Sequence, residues 1–344
     1  GDEEAISIWQ WFKDLTLKDA NRVYDMLGVK FDSYAGEAFY MDKMGPVIEE
    51  LREKKLLKES DGAYVVDLEE YGMPPCLIIK SDGATLYTTR DLAAAFYRKK
   101  TYDFTKCLYV VAYQQSLHFR QLFKVIELMG HEWAKDMEHV EFGMVSYEGQ
   151  ALSTRHGHVI YLEDLLNRSI EKARAIIDEK SPNLDDKDGV ARKVGIGAVV
   201  FFALSAGRIK DIDFWWDRAL NFEGETGPYV QYTYARCCSV LGKAPANLPD
   251  ADYSTLDDAE AQDIVRLLEQ FPKLVKEAAQ RNEPSLITRY TVDLAQAYNK
   301  FYYEHRILDC EPATSAARIA ITKAVRNVIG TGLTLIGVEP TEKM

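Results

Sequence analysis

Apolar residues recur at helical spacing from the start of the chain, with Ile6, Trp9, Phe12 and Leu15 falling on one face. The pattern predicts a helix over residues 3–27, closed by Gly28 as its C-terminal cap. Val29–Asp32 reads as a short strand, and residues 42–55 as a second helix. Leu57–Lys80 has the pattern of a strand pair turned by Ser60-Asp61-Gly62. Strand and helix then alternate. Leu77–Ile79 and Thr85–Tyr87 read as strands, Arg90–Lys100 as a helix, and Cys107–Val111 as a buried parallel strand. A helix over Ser116–Met129 and a strand over Val140–Val145 complete a doubly wound α/β pattern, in which ligands sit at the carboxyl ends of strands. From residue 161 the period is helical, with helices predicted at 162–179, 188–206, 226–242, 256–280, 284–306 and 312–330. Asn183–Gly189 and Lys243–Ser254 read as linkers. The longest apolar run, Ile196–Ala206, is too short to span a bilayer and reads as a buried helix.

Length and composition narrow the class. At roughly 150 residues per domain, 344 residues suggest about two domains. With 47% hydrophobic and 28% charged residues the composition is that of a globular protein. A net charge of -12 argues against nucleic-acid binding through a diffuse basic field, although a local basic surface remains compatible with it. The five cysteines form no CxxC pair, and their odd number argues against a complete disulfide framework. A reducing, cytoplasmic setting is expected. The chain opens directly in an amphipathic helix, with no initiator Met or signal segment, as if cut from something longer.

Four segments hold residues suited to chemistry. Ser81–Asp91 combines a tight turn, a strand and a helix start, which would set Tyr87 at a strand end and Asp91 in a first helical turn; Asp there also simply suits the helix dipole. Gln114, Gln115, Ser116 and His118 follow the Cys107–Val111 strand, so they either line the cleft or merely begin the next helix. Glu148–His158 is a loop whose Ser153, Thr154 and Arg155 have the hydroxyls and guanidinium to hold phosphate oxygens, or it is an ordinary solvated loop. A metal site at His156, His158 and Glu163 lacks a standard ligand spacing, and none is expected. Gly195-Ile196-Gly197 lacks the third glycine of a dinucleotide fingerprint and reads as close helix packing. Asp217–Tyr232 is dense in aromatic, charged and Gly/Pro residues, with Thr226 and Pro228 placed to start a helix. Tyr298, Tyr302 and Arg306 add aromatic and cationic groups further on; such stripes are core by default but also suit base stacking.

Taken together, Tyr34–Glu37, Ser81–Asp91, Gln114–Phe119, Ser153–Gly157 and Asn221–Tyr232 resemble the C-terminal portion of arginyl-tRNA synthetases, a class I family. The resemblance runs from near residue 1 to Met344. It implies an α/β, partial Rossmann-type catalytic domain over 1–160, a helical connective segment over 161–210, and a helical-bundle, DALR-type anticodon-binding domain over 211–344. ATP with Mg2+, L-arginine and tRNA-Arg would be the substrates, with neither DNA nor membrane as partner and no tightly bound cofactor. In such enzymes the arginine carboxylate attacks the α-phosphate, releasing pyrophosphate, and the tRNA 3′-terminal ribose then takes the arginyl group.

Carried over residue by residue, the resemblance implies an arginine pocket of Glu37, Tyr87, Asp91 and Gln115. It puts Gln114 and His118 on the nucleotide side, makes Ser153, Thr154 and Arg155 the mobile phosphate-stabilising loop, and offers Tyr229, Tyr302 and Met344 as anticodon contacts. Ala151-Leu152 stand where many relatives carry Lys-Met, which puts a lysine-based role there in doubt. The class I HIGH motif and the N-terminal domain are not found. The chain is therefore expected to be part of a longer enzyme and inactive alone; the alternative is a non-catalytic tRNA- or partner-binding module derived from the family.

Overall fold

The computed structural model describes residues 2–151 and 160–344. The chain divides into two compact units, one formed by Phe31–Met144 and the other by Gly1–Lys30 together with Val145–Met344.

In the first unit, helix α2 (Met44–Glu53) follows a 3-10 segment (Glu37–Lys43), and strands β1 (Leu57–Ser60), β2 (Ala63–Val66) and β3 (Cys76–Ile79) form an antiparallel sheet in that order. The turn between β1 and β2 uses Asp61 and Gly62, both at positive φ, as its Ser-Asp-Gly sequence predicts. Helix α3 (Tyr87–Tyr102), strand β4 (Cys107–Ala112), helix α4 (Ser116–Leu128) and strand β5 (Met137–Phe142) follow, with β4 and β5 paired in parallel. Leu51, Leu68, Ile78, Leu92, Leu122 and Ile126 are almost wholly withdrawn from solvent and form the core of this unit.

Four strand expectations need correction. Val29–Asp32 is not extended into a ladder: Gly28 turns left-handed, and among the described residues the segment pairs with no strand. Thr85–Tyr87 contributes one isolated bridge, Ile79 to Thr85, since α3 begins at Tyr87 rather than near Arg90. Leu77–Ile79 does form a strand, but its partner is antiparallel β2, so it belongs to a hairpin sheet and not to a parallel one. The strand expected at Val140–Val145 is two strands, broken at Gly143-Met144: β5 ends at Phe142 and β6 (Val145–Tyr147) lies in the other unit. Cys107–Val111 is parallel as expected, yet only one face is covered. Tyr109 is buried, while Leu108 and Val110 alternate to an open face.

The second unit is mostly helical. Helix α1 (Glu3–Leu27) begins with Asp2 accepting the Ala5 N–H and ends where Gly28 turns left-handed at φ 69°. Val23, Met26 and Leu27 of its last turns pack with helices α5 (Leu162–Lys180) and α6 (Lys187–Ser205), and Arg22 pairs with Glu163 at 2.7 Å. Strand β6 pairs with β7 (Gln150–Ala151) and, in parallel, with β8 (Ile212–Phe214); helix α7 is Trp216–Ala219. Strands β7 and β8 and helix α7 were not foreseen, and β6 only at its first residue, Val145. Helices α8 (Gly227–Gly242), α9 (Ala259–Arg281), α10 (Ser285–Glu304) and α11 (Pro312–Leu335) match the predicted helical segments closely. They share a core around Tyr298, Phe301, Val325 and Ile329. An α/β portion thus precedes an all-helical bundle. Among the described residues, no helix is long and apolar enough to cross a membrane.

Gly195 does what its setting in a helix suggests. A Cβ there would lie 2.7 Å from the Ile170 backbone, and Ser169 Oγ donates to the Gly195 carbonyl at 2.7 Å, so α5 and α6 touch main chain to main chain. Gly195→Ala is therefore expected to lower stability by about 1–3 kcal/mol, the usual cost of overpacking. Chemical denaturation of the variant against wild type measures this, and an unchanged midpoint would contradict the close approach.

Candidate functional site

The start of α3 is stitched to the sheet by local chemistry. Asp82 accepts the Ala84 N–H at 2.9 Å, and Gly83 takes φ 79° in the turn after β3. Leu86 is extended; its N–H reaches Thr89 Oγ1, and the same hydroxyl donates to the buried carbonyl of Ile78 at 2.5 Å. Helix α3 therefore cannot slide along β3 without losing that buried bond. Tyr87 begins the helix, and Asp91 stands one turn later on the same face.

Helix α4 brings His118 to this pair. Its Nε2 lies 2.7 Å from Asp91 Oδ2, and its ring meets the Tyr87 ring edge-on at 5.0 Å between centroids. His118 is buried, Asp91 partly so, and Tyr87 exposed. Phe119 packs against the imidazole at 5.1 Å. Glu37 opens the 3-10 segment, and its Oε2 lies 3.2 Å from Nε of Arg90, the neighbour of Asp91. So Tyr87, Asp91 and His118 come together directly, and Glu37 reaches the same helix through Arg90. Gln114 and Gln115 occupy an exposed 3-10 turn (Tyr113–Gln115) immediately after β4.

Sequence reasoning missed the support beneath that turn. Ser116 Oγ lies 3.0 Å from Glu141 Oε1 at the end of β5, and His139 Nε2 lies 2.9 Å from the Val111 carbonyl, its ring over Phe119 at 4.4 Å. Parallel pairing of β4 with β5 makes these neighbours, and nothing in local spacing announces a partner some 25 residues away. Ser153, Thr154 and Arg155, with His156 and His158, lie outside the described residues.

The second cluster of candidates lies on the helical bundle. Thr226 accepts the Tyr229 N–H at 3.3 Å and donates to the Asn221 carbonyl, so α8 begins where the Thr-Gly-Pro sequence indicates. Arg236, one turn after Tyr232, stands 5.0 Å from the Tyr232 ring centre and 4.8 Å from that of Tyr302. These three residues, Lys343 and Met344 line a cavity of about 550 Å3. Tyr229 is not part of its wall. Its hydroxyl accepts from Asn299, which also accepts from Arg236, so Tyr229 supports the cavity from behind. Tyr232 and Arg236 were not singled out, though their i, i+4 spacing on a capped helix was a usable signal.

All five cysteines are free thiols, and burial pushes those of Cys76 and Cys237 up to about 12, which leaves them unreactive. Asp258, Glu260 and His305 form an ionic network: Lys300 pairs with Glu260 at 3.0 Å, His305 lies 3.4 Å from Glu260, and Asp258 caps α9 through the Ala261 N–H.

Comparison with known proteins bears on the family and its domains. A family model described as tRNA synthetases class I (R), catalytic domain, matches residues 1–216, and one described as DALR anticodon binding domain matches residues 230–344. The chain is 54% identical to the arginine–tRNA ligase of Alkaliphilus metalliredigens and 56% identical to that of Halothermothrix orenii, in each case over 100% of this chain and 61% of the relative. It thus spans about three fifths of the length of these relatives. Among solved structures, the arginyl-tRNA synthetase of Thermus thermophilus superposes with a TM-score of 0.86 at 26% identity, covering 94% of this chain and 62% of that one. The arginyl-tRNA synthetase of Plasmodium falciparum has the same fold, at a TM-score of 0.86 and 24% identity, covering 100% of this chain and 60% of that one.

The ionic network on α9 has a pH signature. Lys300, then the backbone and His305, hold the Glu260 carboxyl down at about 2 from an ordinary 4.5. A lowered folded-state value means stability that is present above about pH 4.5 and lost as pH falls toward 2. Glu260→Gln should therefore melt lower than wild type at pH 7, with the gap closing in acid. Parallel melting curves measure it, and a gap that persists at pH 2 would contradict the pairing.

Proposed function

This chain belongs to the class I tRNA synthetase family for arginine, and on that footing we propose that it forms the amino-acid pocket and anticodon-binding portion of an arginine–tRNA ligase. The observation that carries the reading is the Tyr87–Asp91–His118 cluster at the start of α3, in which Tyr87 and Asp91 are the residues the resemblance assigns to the arginine pocket. A guanidinium is a planar cation with five N–H donors in a fixed fork, and a carboxylate meets that fork bidentately. Asp91 and Glu37 supply such carboxylates, Tyr87 offers a ring face or hydroxyl, and Gln115 sits at the adjoining turn. A lysine ammonium has the charge but not the fork, so the site discriminates by leaving acceptors unmatched.

On the same reading, Gln114 and His118 border the nucleotide, with Mg2+ accompanying ATP as part of the substrate. Ser153, Thr154 and Arg155 steady charge on the phosphates as the arginine carboxylate displaces pyrophosphate. The helical region from about residue 211 takes the tRNA-Arg anticodon, whose unpaired bases suit the Tyr232–Arg236–Tyr302 wall and Met344. A cytoplasmic setting fits the free thiols. Since relatives extend well beyond the length matched here, catalysis is expected to need more than these residues. ATP–pyrophosphate exchange by this chain alone would contradict that expectation.

Two binding measurements test the reading. By NMR titration, the chain is expected to bind L-arginine with L-lysine at least about 100-fold weaker, and Asp91→Asn to weaken arginine at least about tenfold, the scale of one charge-assisted hydrogen bond. Equal binding of lysine, or indifference to Asp91, would overturn it. Tyr302→Ala is expected to weaken tRNA-Arg by the about 1–3 kcal/mol of one stacked base, while arginine binding stays unchanged. Fluorescence anisotropy at fixed salt reads the tRNA effect, and an unchanged affinity would remove Tyr302 from the interface.

A further inference from the structure

We propose that His118 is a positioning residue for the amino-acid side of the pocket, acting through Asp91 rather than only bordering the nucleotide. The inference rests on the arginine pocket proposed above.

The geometry is that of an orienting pair. His118 Nε2 engages Asp91 Oδ2 at 2.7 Å, which occupies one carboxylate oxygen and leaves the other, Oδ1, for a ligand. Among the described residues, no donor meets Oδ1. The imidazole has little freedom to give this bond up. It is held edge-on by Tyr87 at 5.0 Å and by Phe119 at 5.1 Å, and it is buried. Its second nitrogen, Nδ1, is also buried and has no partner among the described residues. The hydrogen bond a histidine makes through one nitrogen sets the state of the other. In the neutral ring, donation through Nε2 leaves Nδ1 as the bare nitrogen, and a bare acceptor is better tolerated in a dry site than an unpaired N–H. Flipping the ring would exchange a satisfied pair for an unsatisfied donor.

The consequence concerns ligand geometry. A carboxylate on a helix surface has several rotamers, and only one aims a given oxygen at a fixed fork. Fixing that rotamer in advance lowers the ordering cost when the guanidinium arrives. His118 therefore does to Asp91 what Thr89 does to the helix beneath it: each removes a degree of freedom before the ligand binds.

Two substitutions at position 118 and one double-mutant cycle test this on the chain itself, with L-arginine as the probe and NMR titration as the readout. His118→Phe keeps a ring of similar shape in the slot without a donor. His118→Gln carries an amide N–H about as far from the backbone as the imidazole Nε2, so it restores a donor to Asp91. The Phe variant is expected to weaken arginine about tenfold or more, and the Gln variant to recover to within about threefold of wild type, since one charge-assisted hydrogen bond is at stake. In an Asp91→Asn background, His118→Phe is expected to add little, because the two positions act as one unit. Thermal melts of all variants establish that they are folded; if His118→Phe does not fold, His118→Leu, which also lacks a donor, takes its place beside the Gln variant and in the cycle with Asp91→Asn. Full arginine affinity in His118→Phe, a loss that Gln does not rescue, or an equal loss with and without Asp91, would each overturn the proposal while the arginine pocket stands. Absence of arginine binding by the wild-type chain would overturn both.

Discussion

A carboxylate drawn partly out of water must be given a partner, and around that requirement the first unit of this protein is arranged. Asp91 receives the imidazole of His118 at 2.7 Å, and Glu37 receives the guanidinium of Arg90 at 3.2 Å. Asp91, partly buried, does not stand uncompensated, so it can be aimed without the penalty of a lone charge, whereas Glu37 is exposed and its pairing is screened by water. The rest of the α/β unit serves these pairs. Thr89 ties α3 to the Ile78 carbonyl, the parallel pairing of β4 with β5 sets the Tyr113–Gln115 turn, and Glu141 with Ser116 holds that turn from below.

The same economy governs the helical bundle. Arg236 lies between Tyr232 and Tyr302 and is anchored by Asn299, which in turn engages Tyr229. A cation held between two rings and hydrogen-bonded from behind keeps its face toward the cavity with few rotamers left to lose. Rigid aromatic and guanidinium surfaces of this kind accept flat partners at low entropic cost. The net charge of -12 is no obstacle, because the groups that matter are local.

Helices were legible in the sequence where their ends carried chemistry: Gly28 closing α1, and Thr226 and Pro228 opening α8, are signals that act within a turn. Short strands were not. Strand β6 finds β8 some 67 residues later, and three-residue strands hold too few positions for a period to show. Thr85–Tyr87 misled because β-branched and aromatic residues suit a strand, whereas Thr89 folds back to make Leu86 a helix cap. Within the candidate site, Tyr87 and Asp91 could be found from their segment, but the His118–Asp91 pair joins two helices 27 residues apart and becomes visible only when the chain is folded. The Glu37–Arg90 pair is concealed for the same reason.

The account stands or falls on where a guanidinium goes. A crystal structure of this chain soaked with L-arginine measures that directly. The account predicts the ligand's guanidinium within hydrogen-bond distance of Asp91 Oδ1, beside Tyr87, with the His118–Asp91 contact still in place. Arginine density away from α3, or bound there with Asp91 turned from it, would contradict the account.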